Sequence, residues 1–207
     1  MQIDKNFFVS ESERLFPKMV EMRRHLHSRP ELSYGERETS AFVRERLASF
    51  GIPFENVGQN GIVAQIGTGG PRVALRADLD ALPITEDTGL EYSSKNEGVM
   101  HACGHDMHTA MLLAAAEILK SIEGQLSGSV LLIFQPAEEK LPGGASIIVD
   151  SGILDAPAPV AVFAQHVNPL EKSGSILVPP TKAMAATDEL YWTIRGKGCH
   201  AAQPHLG

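Results

Sequence analysis

Five consecutive residues, VLLIF at 130–134, carry no polar side chain. A strand with one wet face alternates apolar and polar residues with a period of two. An unbroken apolar run of this length predicts a strand covered on both faces. Such a strand needs a layer of structure on each side, and the rest of the chain has the patterns to supply them.

Residues 11–28 put Leu15, Met19, Met22 and Leu26 on one helical face, and Pro30 marks the stop. A second helix is expected over 36–50, closed by Gly51. GIVAQIG (61–67) and RVALRA (72–77) read as strands separated by a GTGGP turn. Residues 107–122 are apolar almost all round, which predicts a buried helix, with Asp106 as its N-cap. A short helix is expected at 146–151 and a second buried-type strand in VAVFAQ (160–165). Strands alternating with helices define an α/β fold with an at least partly parallel sheet. A composition break comes at VPPTK (178–182). Beyond it, DELYWTIRG (188–196) alternates with period two, as a half-exposed antiparallel strand does. A domain boundary is therefore expected near residue 182, giving one domain over 1–182 and the beginning of another over 183–207. The second piece is too short to bury a core of its own, so the chain is expected to be unfinished.

A formal net charge of −7 and the lack of any basic block exclude a phosphate-backbone binder. The longest apolar run, 110–116, is too short to span a bilayer, so no membrane partner is expected. Two cysteines make no disulfide framework, which favours a cytoplasmic setting.

The chemistry-bearing residues collect where the strands end. RVALRA runs into Asp78 and Asp80, VLLIF into Glu138 and Glu139, and VAVFAQ into His166. In open α/β sheets the ligand crevice lies beyond the carboxyl ends of the strands. The loop HACGHD (101–106) adds Cys103 and His105, separated by a glycine that allows a tight turn towards one point. A helix N-terminus beside Cys103 would favour its thiolate. Adjacent glutamates point to different sides, so one can ligate a metal while the other serves as base towards water. A set of Cys, His, Glu and His suits zinc, nickel, cobalt or manganese better than magnesium or calcium. Each feature has a plainer reading alone: a capped loop for the aspartates, a solvated turn for the glutamates, a structural role for His101 and His108. A thiol hydrolase with Cys103 as nucleophile is a further alternative, but it leaves the paired glutamates unused.

The ordered set RADLDALPI, HACGHDMHTA, FQPAEE, QHV and GKGCHAAQPHLG, preceded by RRHLHSRPELSYGERETSAFV, resembles the M20 metallopeptidase superfamily. Within it the amidohydrolase branch, with its hippurate and indole-3-acetyl-amino-acid hydrolases, is the nearest match. The resemblance implies a three-layer, mostly parallel sheet flanked by helices, as in zinc peptidases, plus the start of a smaller α+β lid or dimerisation domain. It implies two divalent ions per subunit (Mn2+, Zn2+, Ni2+ or Co2+), bridged by Cys103, with His105, Glu139 and His166 as further ligands. Glu138 would be the general base, Asp80 a carboxylate orienting the site, and His200 a lid histidine that holds the substrate's developing oxyanion. The substrate would be a small N-acyl amino acid such as a hippurate, and the full-length form a homodimer or homotetramer. Asp78 stands where other branches place a metal-binding histidine, which leaves its role open. Cys199 stands where the family carries glycine and is read as a tolerated small residue. Members run to about twice this length, and their final metal-binding histidine has no counterpart here. A truncated, non-catalytic fragment is therefore the alternative function.

Overall fold

The computed structural model describes residues 4–182 and 188–207. In chain order the elements are α1 (Lys5–His27), α2 (Arg37–Ser49), β1 (Phe54–Val57), β2 (Gly61–Ile66), β3 (Arg72–Asp78), α3 (His105–Ser121), β4 (Ser129–Gln135), α4 (Gly144–Asp150) and β5 (Ala161–Ala164). They form one five-stranded sheet in the order β1-β2-β4-β3-β5. β3 runs parallel to both β4 and β5, while β1–β2 and β2–β4 are antiparallel. The GTGGP turn thus does not join neighbouring strands: β4 inserts between β2 and β3.

The apolar run at 130–134 sits at the centre of this sheet, and every residue of β4 is buried. Val130, Leu132 and Phe134 face a core with Met22 of α1, Val43 and Leu47 of α2, and Ala110, Leu113 and Ala116 of α3. Leu131 and Ile133 face the other way, onto Val63, Ala74 and Ile148 of α4. Each large apolar side chain buried here contributes about 1.5–3 kcal/mol. The three-layer α/β arrangement expected from the sequence is present, with α1–α3 on one face and α4 on the other.

Several local expectations need correction. α1 begins at Lys5 because Asp4 caps it, its carboxylate accepting from Asn6 N at 3.1 Å. α3 begins at His105 with Gly104 as cap, at φ 86°, and not at Asp106. Asp106 lies in the first turn, where its carboxylate meets Arg23 Nε at 2.7 Å and His27 Nδ1 at 2.8 Å. α2 has no cap from its own flanking residue; Glu31 supplies it from outside, accepting from the amides of Glu38 and Thr39. β1 has no signal in the sequence, since FENV carries no apolar alternation.

The sequence predicts a buried strand at β5, yet Val162 and Phe163 are 59% and 57% exposed. It is an edge strand, with β3 as its ladder partner.

The chain divides into two compact units, Met1–Asn168 and Pro169–Gly207. The composition break at 178–182 falls within the second. There the alternating stretch at 188–196 forms no strand and is exposed. Alternation alone cannot hold an extended segment that has no ladder partner. A short 3-10 turn, Pro204–Leu206, is the regular element among that unit's described residues.

Candidate metal centre

β3, β4 and β5 are mutually parallel, so their carboxyl ends share one edge of the sheet. That edge gathers Asp78 and Asp80 after β3, Glu138 and Glu139 after β4, and His166 after β5. Cys103 and His105 arrive from the N-terminus of α3. Three overlapping groups have ligand atoms within 4.8 Å of one another: Cys103, His105 and His166; His105, Glu138 and Glu139; and Asp78, His105 and His108. Cys103 Sγ lies 3.2 Å from His166 Nε2. Of the seven predicted site residues, Cys103, His105, Glu138, Glu139 and His166 thus lie together, and Asp80 supports them from below. His200 belongs to the second unit, where its Nδ1 accepts from Ala202 N at 3.2 Å.

Buried carboxylates hold the glutamate loop. Asp80 accepts from the amide of Glu138 at 2.9 Å through Oδ1, and from that of Glu139 at 3.0 Å through Oδ2. The Ser33 hydroxyl also donates to Asp80, at 2.6 Å. One residue upstream, Ala137 has φ 46°, and its amide donates to Glu36 Oε1 at 2.7 Å. Glu36 is fully buried and also accepts from Asn60 Nδ2 at 2.9 Å. Three successive amides are therefore fixed by two carboxylates, which sets where Glu138 and Glu139 point.

Both imidazoles are prepared in the same way. His105 Nδ1 donates to the Asp80 carbonyl at 2.8 Å, and His166 Nδ1 donates to the Val167 carbonyl at 2.7 Å. Carbonyl oxygens only accept, so each ring carries a proton on Nδ1, and the neutral ring then has its lone pair on Nε2. Metal-binding histidines are held this way, by a carbonyl or carboxylate on the second nitrogen. His105 Nε2 and Glu139 Oε1 are buried, 3.7 Å apart, and have no hydrogen-bond partner. Buried polar atoms without partners are costly, and a cation would satisfy both. The donor set therefore fits divalent ions.

The electrostatics agree. Burial and then the carboxylates of Glu139, Glu138 and Asp78 push the Cys103 thiol up to about 12. The expected thiolate is thus not favoured in the metal-free protein: burial and the carboxylates outweigh the helix end. This weighs against Cys103 as a nucleophile on its own, and a cation placed among these groups would offset the same repulsion. Burial and the neighbouring Glu139 raise Glu138, which makes it a better proton acceptor near neutrality. Burial opposes the ionised form of Asp80, but His105, Ser33 and the amides of Glu139 and Glu138 outweigh it and hold the carboxyl down at about 2.

Sequence reasoning missed several supporting residues. Glu36 acts on an amide 101 positions away, a pairing that no local spacing signals. His27 joins Asp106 to Glu86, whose Oε1 lies 3.2 Å from His27 Nε2. His101 belongs to none of the metal groups. Its two ring nitrogens are buried without partners, and burial lowers its pKa to about 4.

A core of parallel strands whose ends carry such a donor set defines a metallohydrolase-type centre. The profile of peptidase family M20/M25/M40 matches residues 74–202, which include every predicted site residue, and the chain belongs to that family. It is 46% identical to the IAA-amino acid hydrolase ILR1-like 5 of Arabidopsis thaliana, over 99% of this chain and 47% of that protein. It is 44% identical to an N-acyl-L-amino acid amidohydrolase of Geobacillus stearothermophilus, over 90% of this chain and 51% of that one. Among solved structures, the YXEP protein of Bacillus subtilis, described as a dinuclear metal binding peptidase from the M20 family, superposes with a TM-score of 0.71 at 42% identity. That match covers 76% of this chain and 44% of the other. The chain spans about half the length of the curated relatives it matches. Among the described residues no helix is long and apolar enough to cross a membrane.

Proposed function

We propose that this chain carries the metal centre of an amidohydrolase that cleaves the amide bond of N-acyl amino acids. The observation that carries the reading is the shared preparation of His105 and His166. Each has Nδ1 tied to a carbonyl; Nε2 of His105 is buried without a partner beside the unpartnered Glu139 oxygen, and Nε2 of His166 lies 3.2 Å from the Cys103 thiol. Cys103, His105, Glu139 and His166 would hold two divalent ions. The chemistry those ions supply when bound is an acidified water and a polarised amide carbonyl.

Glu138 accepts the proton of the attacking water and returns it to the leaving amine. Its raised pKa suits both steps. Asp80 keeps Glu138 and Glu139 aimed by holding their amides. His200 would hold the developing oxyanion of the substrate. The domain division at 182/183, with the segment after it beginning a lid, is part of the same proposal. Two unbridged cysteines support a cytoplasmic setting.

The names of two relatives support this substrate class: one is an N-acyl-L-amino acid amidohydrolase, and another an N-acetyl-L-cysteine deacetylase from Bacillus subtilis. The test is a panel of N-benzoyl-, N-acetyl- and indoleacetyl-amino acids with added Mn2+, Zn2+, Ni2+ or Co2+, scored by free amino acid released. Release that depends on added ion and stops on chelation is expected. Hydrolysis that survives exhaustive chelation would refute the proposal.

A further inference from the structure

Asp78 and His108 contribute a second set of buried polar groups behind the centre, and the proposed reaction uses neither. Both are buried. Asp78 Oδ2 pairs with Arg76 at 2.6 Å, and Asp78 Oδ1 meets His108 Nδ1 at 2.7 Å. Arg76 is itself held by Gln135 Oε1 at 3.0 Å, and Thr109 Oγ1 donates to the Asp78 carbonyl at 2.8 Å. On its other side, His108 Nε2 accepts from the amide of Val167 at 3.0 Å. A backbone N–H can only donate, so Nε2 bears the lone pair and the proton sits on Nδ1, facing the carboxylate.

Val167 is the residue after His166. Its carbonyl takes the His166 Nδ1 proton, which leaves His166 Nε2 facing Cys103. Its side chain lies against Gly104, where an added Cβ would collide with Cγ2. One peptide segment is thereby pinned from three directions. His108 holds its N–H, the ring of His166 holds its C=O, and the glycine between Cys103 and His105 packs against its side chain. The two imidazole rings lie 4.7 Å apart, centroid to centroid.

We propose that His108, fixed in one tautomer by Asp78, is a positioning residue for His166 and acts through the backbone of Val167. The role that the sequence left open for Asp78 is then clear. Both of its oxygens are engaged by Arg76 and His108, so it serves the centre by holding a ring. The proposal rests on the reading of His166 as a metal ligand.

Three substitutions separate the parts. His108→Asn keeps a donor near Nδ1 and removes the acceptor for Val167. His108→Gln places an acceptor near the Nε2 position. Asp78→Asn must turn its oxygen towards Arg76 and its NH2 towards His108, which drives the ring proton to Nε2, against the Val167 N–H. Metal-free protein is titrated with Zn2+ against a chromogenic chelator, with thermal unfolding as the control for folding. The affinity of one binding step should fall about 10- to 100-fold in His108→Asn and Asp78→Asn, the range seen when a ligand's supporting partner is removed. His108→Gln should recover most of it. In a His166→Ala background the same step is already lost, and adding His108→Asn should change nothing further.

Ring nitrogen NMR of the wild-type chain reads the tautomer without any metal, and Nδ1–H on His108 is expected. Nε2–H on that ring, or wild-type affinity in both His108→Asn and Asp78→Asn, overturns the proposal while leaving the metal centre intact. A wild-type chain that takes up no ion overturns the metal-centre reading itself, and this proposal with it.

Discussion

Replacing Asp80 by asparagine tests how the glutamate loop is held. Asp80 is fully buried and accepts from Ser33 and from the amides of Glu138 and Glu139. Asparagine has the same shape but one acceptor oxygen, so one amide of the pair must face an NH2 group. Charge-assisted hydrogen bonds of this kind contribute about 1.5–3 kcal/mol each. The proton equilibrium expresses the same contacts as a shift in the carboxyl's pKa. Folding lowers the Asp80 carboxyl from 3.8 to about 2, which at about 1.4 kcal/mol per tenfold change is about 2–3 kcal/mol. A depressed carboxyl stabilises the fold above its unfolded value and loses that contribution as the pH falls through its folded value. In urea unfolding with chelator present, wild type should therefore exceed Asp80→Asn by about 2–3 kcal/mol at pH 7. The gap should narrow once the pH drops below 3.8 and largely close near 2. A gap under about 0.5 kcal/mol at pH 7, or one that stays constant down to about pH 2.5, would show that Asp80 is not held as a charged acceptor.

Gly104→Ala should cost about 2–4 kcal/mol, because it forces a Cβ into left-handed backbone and against Val167; a calorimetric Tm unchanged within a degree would contradict this. Glu138→Gln should lower kcat by about 100- to 10,000-fold while leaving metal stoichiometry intact, since the amide cannot accept the water proton; comparable turnover in the variant would remove Glu138 as the base.

The sheet is legible because its central strand advertises itself. An apolar run with no alternation requires two covering layers, and Val130–Phe134 has them. The convergence of Cys103, His105, Glu138, Glu139 and His166 is legible for a related reason: parallel strands put their carboxyl ends on one edge, so the loops leaving them share a neighbourhood. Contacts made across the fold escape such reasoning. Nothing near Glu36 signals that it holds the amide of Ala137, and nothing near Arg23 or His27 points to Asp106. Asp106 misleads because an aspartate before an apolar helix usually caps it; here the cap needs φ 86°, which glycine supplies, and the carboxylate is spent on α1. The alternation at 188–196 is a true pattern with no partner strand among the described residues, and pairing is what turns alternation into structure.

Cys103 and His166 stand 63 residues apart in the chain and meet only once the parallel strands have aligned. An unfolded chain does not bring these two donors together, so a divalent ion favours the native state. Mass action then links ion supply to persistence of the fold: free ion at about a hundred times Kd adds about 2.7 kcal/mol. The melting temperature of such a chain becomes a gauge of the ion concentration around it.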